Sequence, residues 1–240
     1  GVTVIGSADG KNHPNTGIIV AERPLPLQLI IQDLKLTAPE GKSGIDFGNA
    51  LGVSYEKWPY NLNNAGQPAP YSLADVLLIG GDCSVTGGKG RAGVYVGDEV
   101  CLTIDKAPGK TDVQASLAAA GGEKGAGIGG DRGFSGGSVT INGGTITATG
   151  GTQGAGLGGL VGAITVSGGT VTATGGQSTP GLGNLRSFFI ITDYVAQKYN
   201  LNPEKIMSTK SFVIPGETII INGGTVTAAG NSEAGISALG

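Results

Sequence analysis

Asp98 and Asp131 each close a short segment that opens with a small-Gly-apolar step, Ala92-Gly-Val94 and Ala126-Gly-Ile128. If those segments stack, their carboxylates could share Ca²⁺ through oxygen ligands. The plainer reading is two turn residues in solvent, with no metal or other cofactor. Gly129-Gly-Asp-Arg-Gly133 is too short for a calcium-binding repeat. His13, inside Lys11-Asn-His-Pro-Asn15, reads as a solvated turn residue. Cys83 and Cys101 do not fall at equivalent positions, so two free thiols are favoured over a disulfide. The remaining candidates are aromatic. Tyr55, Trp58, Tyr60 and Tyr71 gather in the stretch 51–72, which holds the chain's one Trp. Such rings offer an apolar face and, in Tyr and Trp, a polar tip, a combination suited to sugar rings.

What must position these groups is a repeat. Asn142-Gly-Gly-Thr-Ile-Thr-Ala-Thr-Gly150 returns as Ser167-Gly-Gly-Thr-Val-Thr-Ala-Thr-Gly175 and as Asn222-Gly-Gly-Thr-Val-Thr-Ala-Ala-Gly230. An alternating apolar run precedes each copy and a small-residue run follows it. The glycine of the small-Gly-apolar step recurs at Gly17, Gly44, Gly93, Gly127, Gly156, Gly181 and Gly235. The base period is about 25 residues, with longer steps where material is inserted. Outside the insertions, no segment between the markers has a helical period. One turn of a parallel β-solenoid fits, with strand, Gly-Gly bend, strand, loop and short third strand. The reading is an all-β, right-handed parallel β-helix of about seven coils. It forms one domain over 1–240, with insertions at 51–72 and 184–215. Right-handedness follows from the strong rule for parallel crossovers. In the second insertion Phe188, Ile191, Val195 and Tyr199 have helical spacing, and Asn202-Pro203 is a helix start, so it should be partly helical. Both insertions should leave on one side, four coils apart.

Alternation assigns the faces. Ile146, Val171 and Val226 should form an internal row, continued by Cys83 and Leu34. Ala148, Ala173 and Ala228 should form another. Thr145, Thr147 and Thr149, with Thr170, Thr172, Thr174, Thr225 and Thr227, should point outward as a flat array. On the first strands a gapless alignment puts Gln28, Leu77, Thr103, Thr140, Thr165 and Ile220 outside.

Composition excludes some functions. Net charge is −3 and charged residues are 14%, which leaves no basic footprint for nucleic acid. No apolar run reaches the length of a membrane span. Gly1 reads as a mature or trimmed start, without a signal peptide.

The pattern Gly125-Ala-Gly-Ile-Gly-Gly130, followed by Ser138-Val-Thr-Ile-Asn-Gly-Gly-Thr-Ile-Thr-Ala-Thr-Gly-Gly151, resembles the Gly/Thr-rich β-helix segments of large bacterial surface and secreted proteins. Their fold is similar to the pectate-lyase-like right-handed β-helix. The resemblance implies an extracellular or cell-surface place and a non-catalytic role in adhesion or glycan binding. Tyr55, Trp58, Tyr60 and Tyr71 would then meet a polysaccharide or cell-surface glycan. Competing readings are a structural stalk or filament segment, a polysaccharide lyase, and an ice-binding protein suggested by the threonine array. A lyase of this fold would carry carboxylates and a base on the outward first-strand positions, where none is found. Threonine also simply suits an exposed strand. Neither end carries a helix, Pro or charged blunt, so self-association through the solenoid ends, or continuation in a longer protein, is expected.

Overall fold

The computed structural model describes residues 2–6, 11–20, 26–48, 73–97, 100–109, 115–131, 136–158, 163–183 and 218–237. Three parallel sheets of seven strands each run through them. Successive strands belong to successive sheets, so every third strand returns to the same ladder one level higher. The first sheet stacks Val2–Ile5, Gln28–Gln32, Leu73–Gly80, Val100–Lys106, Ser138–Ile141, Ile164–Val166 and Ile219–Ile221. The second stacks His13–Pro14, Lys35–Thr37, Asp82–Thr86, Ser116–Ala120, Thr145–Thr149, Thr170–Gln177 and Thr225–Asn231. The third stacks Ile18–Ile19, Ile45–Phe47, Val94–Val96, Ile128–Gly129, Leu157–Gly158, Leu182–Gly183 and Ile236–Ser237. We number the seven levels as coils 1 to 7 in chain order.

The Gly-Gly bend explains why the chain turns where it does. The second glycine of each pair, Gly144, Gly169 and Gly224, has φ of 88°, 80° and 80°. An L side chain there would meet its own carbonyl, and glycine removes that penalty. In coil 2 the turn is made by Asp33, at φ 50°. Aspartate is among the few residues that visit this region.

Alternation then fills the interior. One cluster of buried side chains runs the length of the stack. Ile146 pairs with Val171 above and Leu117 below, and Leu117 pairs with Cys83. Ala148, Ala173 and Ala228 share a second row, and Thr145 and Thr147 are exposed. Because like residues stack, each methyl group meets its counterpart one strand spacing away, about 4.8 Å.

Two sequence expectations are corrected. Leu77 is fully buried and pairs with Ile104; the outward residue is Val76, which pairs with Thr103 and Gln28. Coil 3 has one more residue between Leu77 and Cys83 than coil 5 has between Ile141 and Ile146. The gapless alignment absorbed that residue in the strand, and a slip of one inverts the face. His13 is not a solvated turn residue. It is half-buried in the first strand of the second sheet, opposite Leu36.

The last described strands before the two insertions, Ile45–Phe47 and Leu182–Gly183, belong to the third sheet on coils 2 and 6. The helical segment expected within 184–215 lies outside the described residues.

Candidate functional site

Charge on the described outer faces concentrates on coils 2 to 4 beside the third sheet. Asp46 and Tyr95 are paired neighbours there, and Tyr95 also pairs with Gly129. Both carboxyl and phenol stand on the middle residue of a three-residue strand, whose flanking residues Ile45, Phe47, Val94 and Val96 are fully buried. Alternation therefore sends Asp46 and Tyr95 outward. Arg91 arrives from the turn before Val94–Val96. Its Nη1 lies 2.9 Å from Asp131 Oδ2, its Nη2 lies 3.9 Å from Asp46 Oδ2, and its guanidinium carbon sits 5.6 Å from the centre of the Tyr95 ring. The last contact is within cation–π range.

Asp131 is not the solvated turn residue that the sequence suggested. It is 2% exposed. Its Oδ1 accepts the Ala92 N–H at 2.6 Å. Its Oδ2 makes the close Arg91 contact without an aligned hydrogen bond, and Arg91 Nε is likewise buried and unsatisfied. Burial pushes the Asp131 carboxyl up to about 6, with Asp46 adding to the rise. Arg91 and the Ala92 N–H act against it. Burial also raises the Asp46 carboxyl, against Arg91 and Lys42. Taking a carboxylate from water disfavours its charged form, and one guanidinium shared between two acids does not fully offset that. Perturbed acids beside a specific charge partner are a recognised mark of functional sites.

The other sequence candidates fall elsewhere. Tyr55, Trp58, Tyr60, Tyr71 and Asp98 lie outside the described residues. Cys83 and Cys101 are free, on different sheets. Burial raises the Cys83 thiol, which lies 3.5 Å from the Gly80 carbonyl oxygen and 3.5 Å from the Leu34 nitrogen. It is therefore an inert core group. Of the outward first-strand positions, Gln28, Thr103, Thr140, Thr165 and Ile220 keep their place. The one acid of coil 3's first strand, Asp75, faces inward, fully buried, and accepts the Leu27 N–H at 2.9 Å. The one-residue slip that puts Leu77 outside would put Asp75 outside as well, on the same face of the strand.

The threonine face is as regular as its spacing suggested. Thr145, Thr170 and Thr225 stack in one column; Thr147, Thr172 and Thr227 stack in a second. The second continues downward as Ala118, Ser84 and Lys35, while Thr149 leads through Ala120 to Thr86 and Thr37. A groove of about 220 Å³ on the first sheet is bordered by Thr3, Ile30, Gln32 and Lys106 and holds no acid.

Three coils of this architecture have a counterpart among known families. A model described as beta helix repeat matches residues 139–162, 164–183 and 219–238. The chain is a parallel β-helix. The matched segments begin in the first strands of coils 5, 6 and 7 of the β-helix and end at or just beyond their third strands. They contain the Gly-Gly-Thr units from which the repeat was first read. No curated protein and no solved structure matches the chain. No helix among the described residues is long and apolar enough to cross a membrane.

Proposed function

We propose that this β-helix is a non-catalytic glycan-binding module of an extracellular or cell-surface bacterial protein. One observation carries the reading. Asp46 and Tyr95 stand on the third sheet with Arg91 reaching them from the preceding turn, and Asp46 lies two residues before Gly48, where the chain runs on toward the aromatic stretch 51–72. Sugar sites combine ring faces with a few convergent polar groups. Here the sheet and its adjoining turn supply a carboxylate and a guanidinium, and Tyr55, Trp58, Tyr60 and Tyr71 would supply the rings.

The test is a glycan array with the 240-residue chain, followed by the Trp58→Ala variant. Binding that falls tenfold or more in the variant, at unchanged melting temperature, is the expected result. Unchanged affinity would remove the aromatic stretch from the site. Cleavage of a polysaccharide in a lyase assay would replace the reading with an enzymatic one.

A structural role, as a stalk or filament segment, is the second reading. Val2, Ile221 and Ile236 continue the internal rows yet are about half exposed at the first and last coils. Docked coils would cover them. Light scattering that gives a clean monomer at high concentration would count against self-association through these surfaces.

A further inference from the structure

Asp131 is too deeply placed to touch a ligand, and the proposed glycan site does not use it. Its surroundings still require explanation. Arg91 reaches from coil 3 to an acid on coil 2 and an acid on coil 4, and so bridges three levels of the stack. The two acids are not held alike. Asp131 is anchored through Oδ1 to the Ala92 amide, and its Oδ2 is sealed from water. Asp46 is partly exposed and further from the guanidinium.

We infer that Arg91 is a proton-operated clasp: it grips Asp131 while that carboxylate is ionised, and passes to Asp46 when Asp131 takes up a proton. The chemistry is one proton added to Asp131 Oδ2. Oδ1 remains an acceptor, so the Ala92 amide stays satisfied and the backbone of coils 3 and 4 keeps its ladder. Only the charge that held Nη1 disappears. The guanidinium then faces a single anion, Asp46, and its attraction to that side grows relative to the other. The groups that set the balance are Arg91, Asp46 and the Tyr95 ring, with Lys42 acting on Asp46. In the neighbouring turn stack, Lys89 pairs with Glu123 at 3.8 Å. Arg132 follows Asp131 in the chain and lies outside the described residues. Protonation of a buried group beside a shared counter-ion is the usual basis of a pH-sensitive contact. Because the midpoint lies near 6, a modest acidification would operate the clasp. This inference does not depend on the glycan reading.

Carboxyl-carbon NMR of the intact 240-residue chain, titrated from pH 4 to 8, tests it directly. The Asp131 resonance should titrate with a midpoint near 6. The Arg91 Nε resonance should move with the same midpoint. In Asp131→Asn, which keeps an acceptor for Ala92, the Arg91 transition should vanish. An Asp131 midpoint at or below about 4, the ordinary range of a free aspartate, would overturn the clasp. So would an Arg91 resonance that ignores the Asp131 transition, or one that keeps it in Asp131→Asn.

Discussion

Asp131 carries its charge inside the coil stack and Asp82 carries its charge on the surface, and acid should act on the two in opposite senses. The folded-state value of Asp131 lies near 6, above the ordinary 3.8. Between those values the folded chain holds a proton that the unfolded chain has lost. Stability from this group therefore falls as pH rises through the window, by about 3 kcal/mol in all. Asp46 is shifted the same way by burial. Asp82 is lowered, first by the Ser116 hydroxyl at 2.8 Å and then by Lys35 at 3.2 Å. Its contribution is present above the ordinary value and is lost as pH drops below it, but an exposed pair is worth little. The melting temperature should thus rise by several degrees from pH 7 to pH 5 and turn down again below about 4. Thermal scans at half-unit steps would show it. In Asp131→Asn the rise should shrink to the share left with Asp46; a rise of unchanged size would contradict the assignment. At any pH Asp131→Ala should be less stable than Asp131→Asn by about 1–3 kcal/mol, because the buried Ala92 N–H loses its acceptor. None of this was legible in the sequence. Arg91 and Asp131 are forty positions apart, and only the stacking of coils 3 and 4 brings them together. The acid could be noticed in Gly129-Gly-Asp131, but its burial could not.

At the scale of strands and bends, the strict period-2 pattern and the repeated Gly-Gly-Thr unit made coils 5 to 7 readable almost residue by residue. Leu77 was placed on the wrong face because a single extra residue in a bend carries no signal of its own yet inverts a whole strand. His13 was misread because a two-residue strand is too short to alternate. The marker glycine has a steric reason that the pattern alone did not disclose. A methyl group on Gly156 would lie 2.5 Å from the Thr174 nitrogen, 2.6 Å from the Gly181 oxygen and 2.8 Å from the Ala148 oxygen. All three are backbone atoms, so none can swing aside. Gly156→Ala should therefore separate coils 5 and 6 locally and cost more than 3 kcal/mol, beyond ordinary overpacking. Gly90 is the comparison: its φ is 84°, but a methyl there meets nothing within 4 Å. Gly90→Ala should cost only about 1–2 kcal/mol of backbone strain. Urea melts of the two variants decide the matter, and equal losses would mean that the close contacts at Gly156 relax at little cost. Ile146→Ala, fully buried between Val171 and Leu117, should lose about 2–5 kcal/mol as a cavity opens.

For the whole molecule, each coil contacts only its neighbours, and stability is close to a sum of coil and interface contributions. Residues 142–166 make one full turn, since Thr145 stacks on Thr170 and Thr140 on Thr165. Deleting them joins Ile141 to Ser167 in unchanged register. The shortened chain should still fold, with an unchanged β-sheet spectrum per residue and a denaturant slope reduced in proportion to its length. Loss of the spectrum would show that the coils are not interchangeable. The architecture also has a mechanical side. The ladder hydrogen bonds between coils slant across parallel strands but run roughly along the axis of the stack. A load applied between the first and last coils therefore pulls these bonds lengthwise, and at either end it falls on one coil's set at a time. Such a body should peel rather than shear. Stretched in an optical trap, it should yield in steps at low force, each releasing roughly 25 residues or about 80–90 Å of chain, and it should rewind coil by coil when the tension is relaxed.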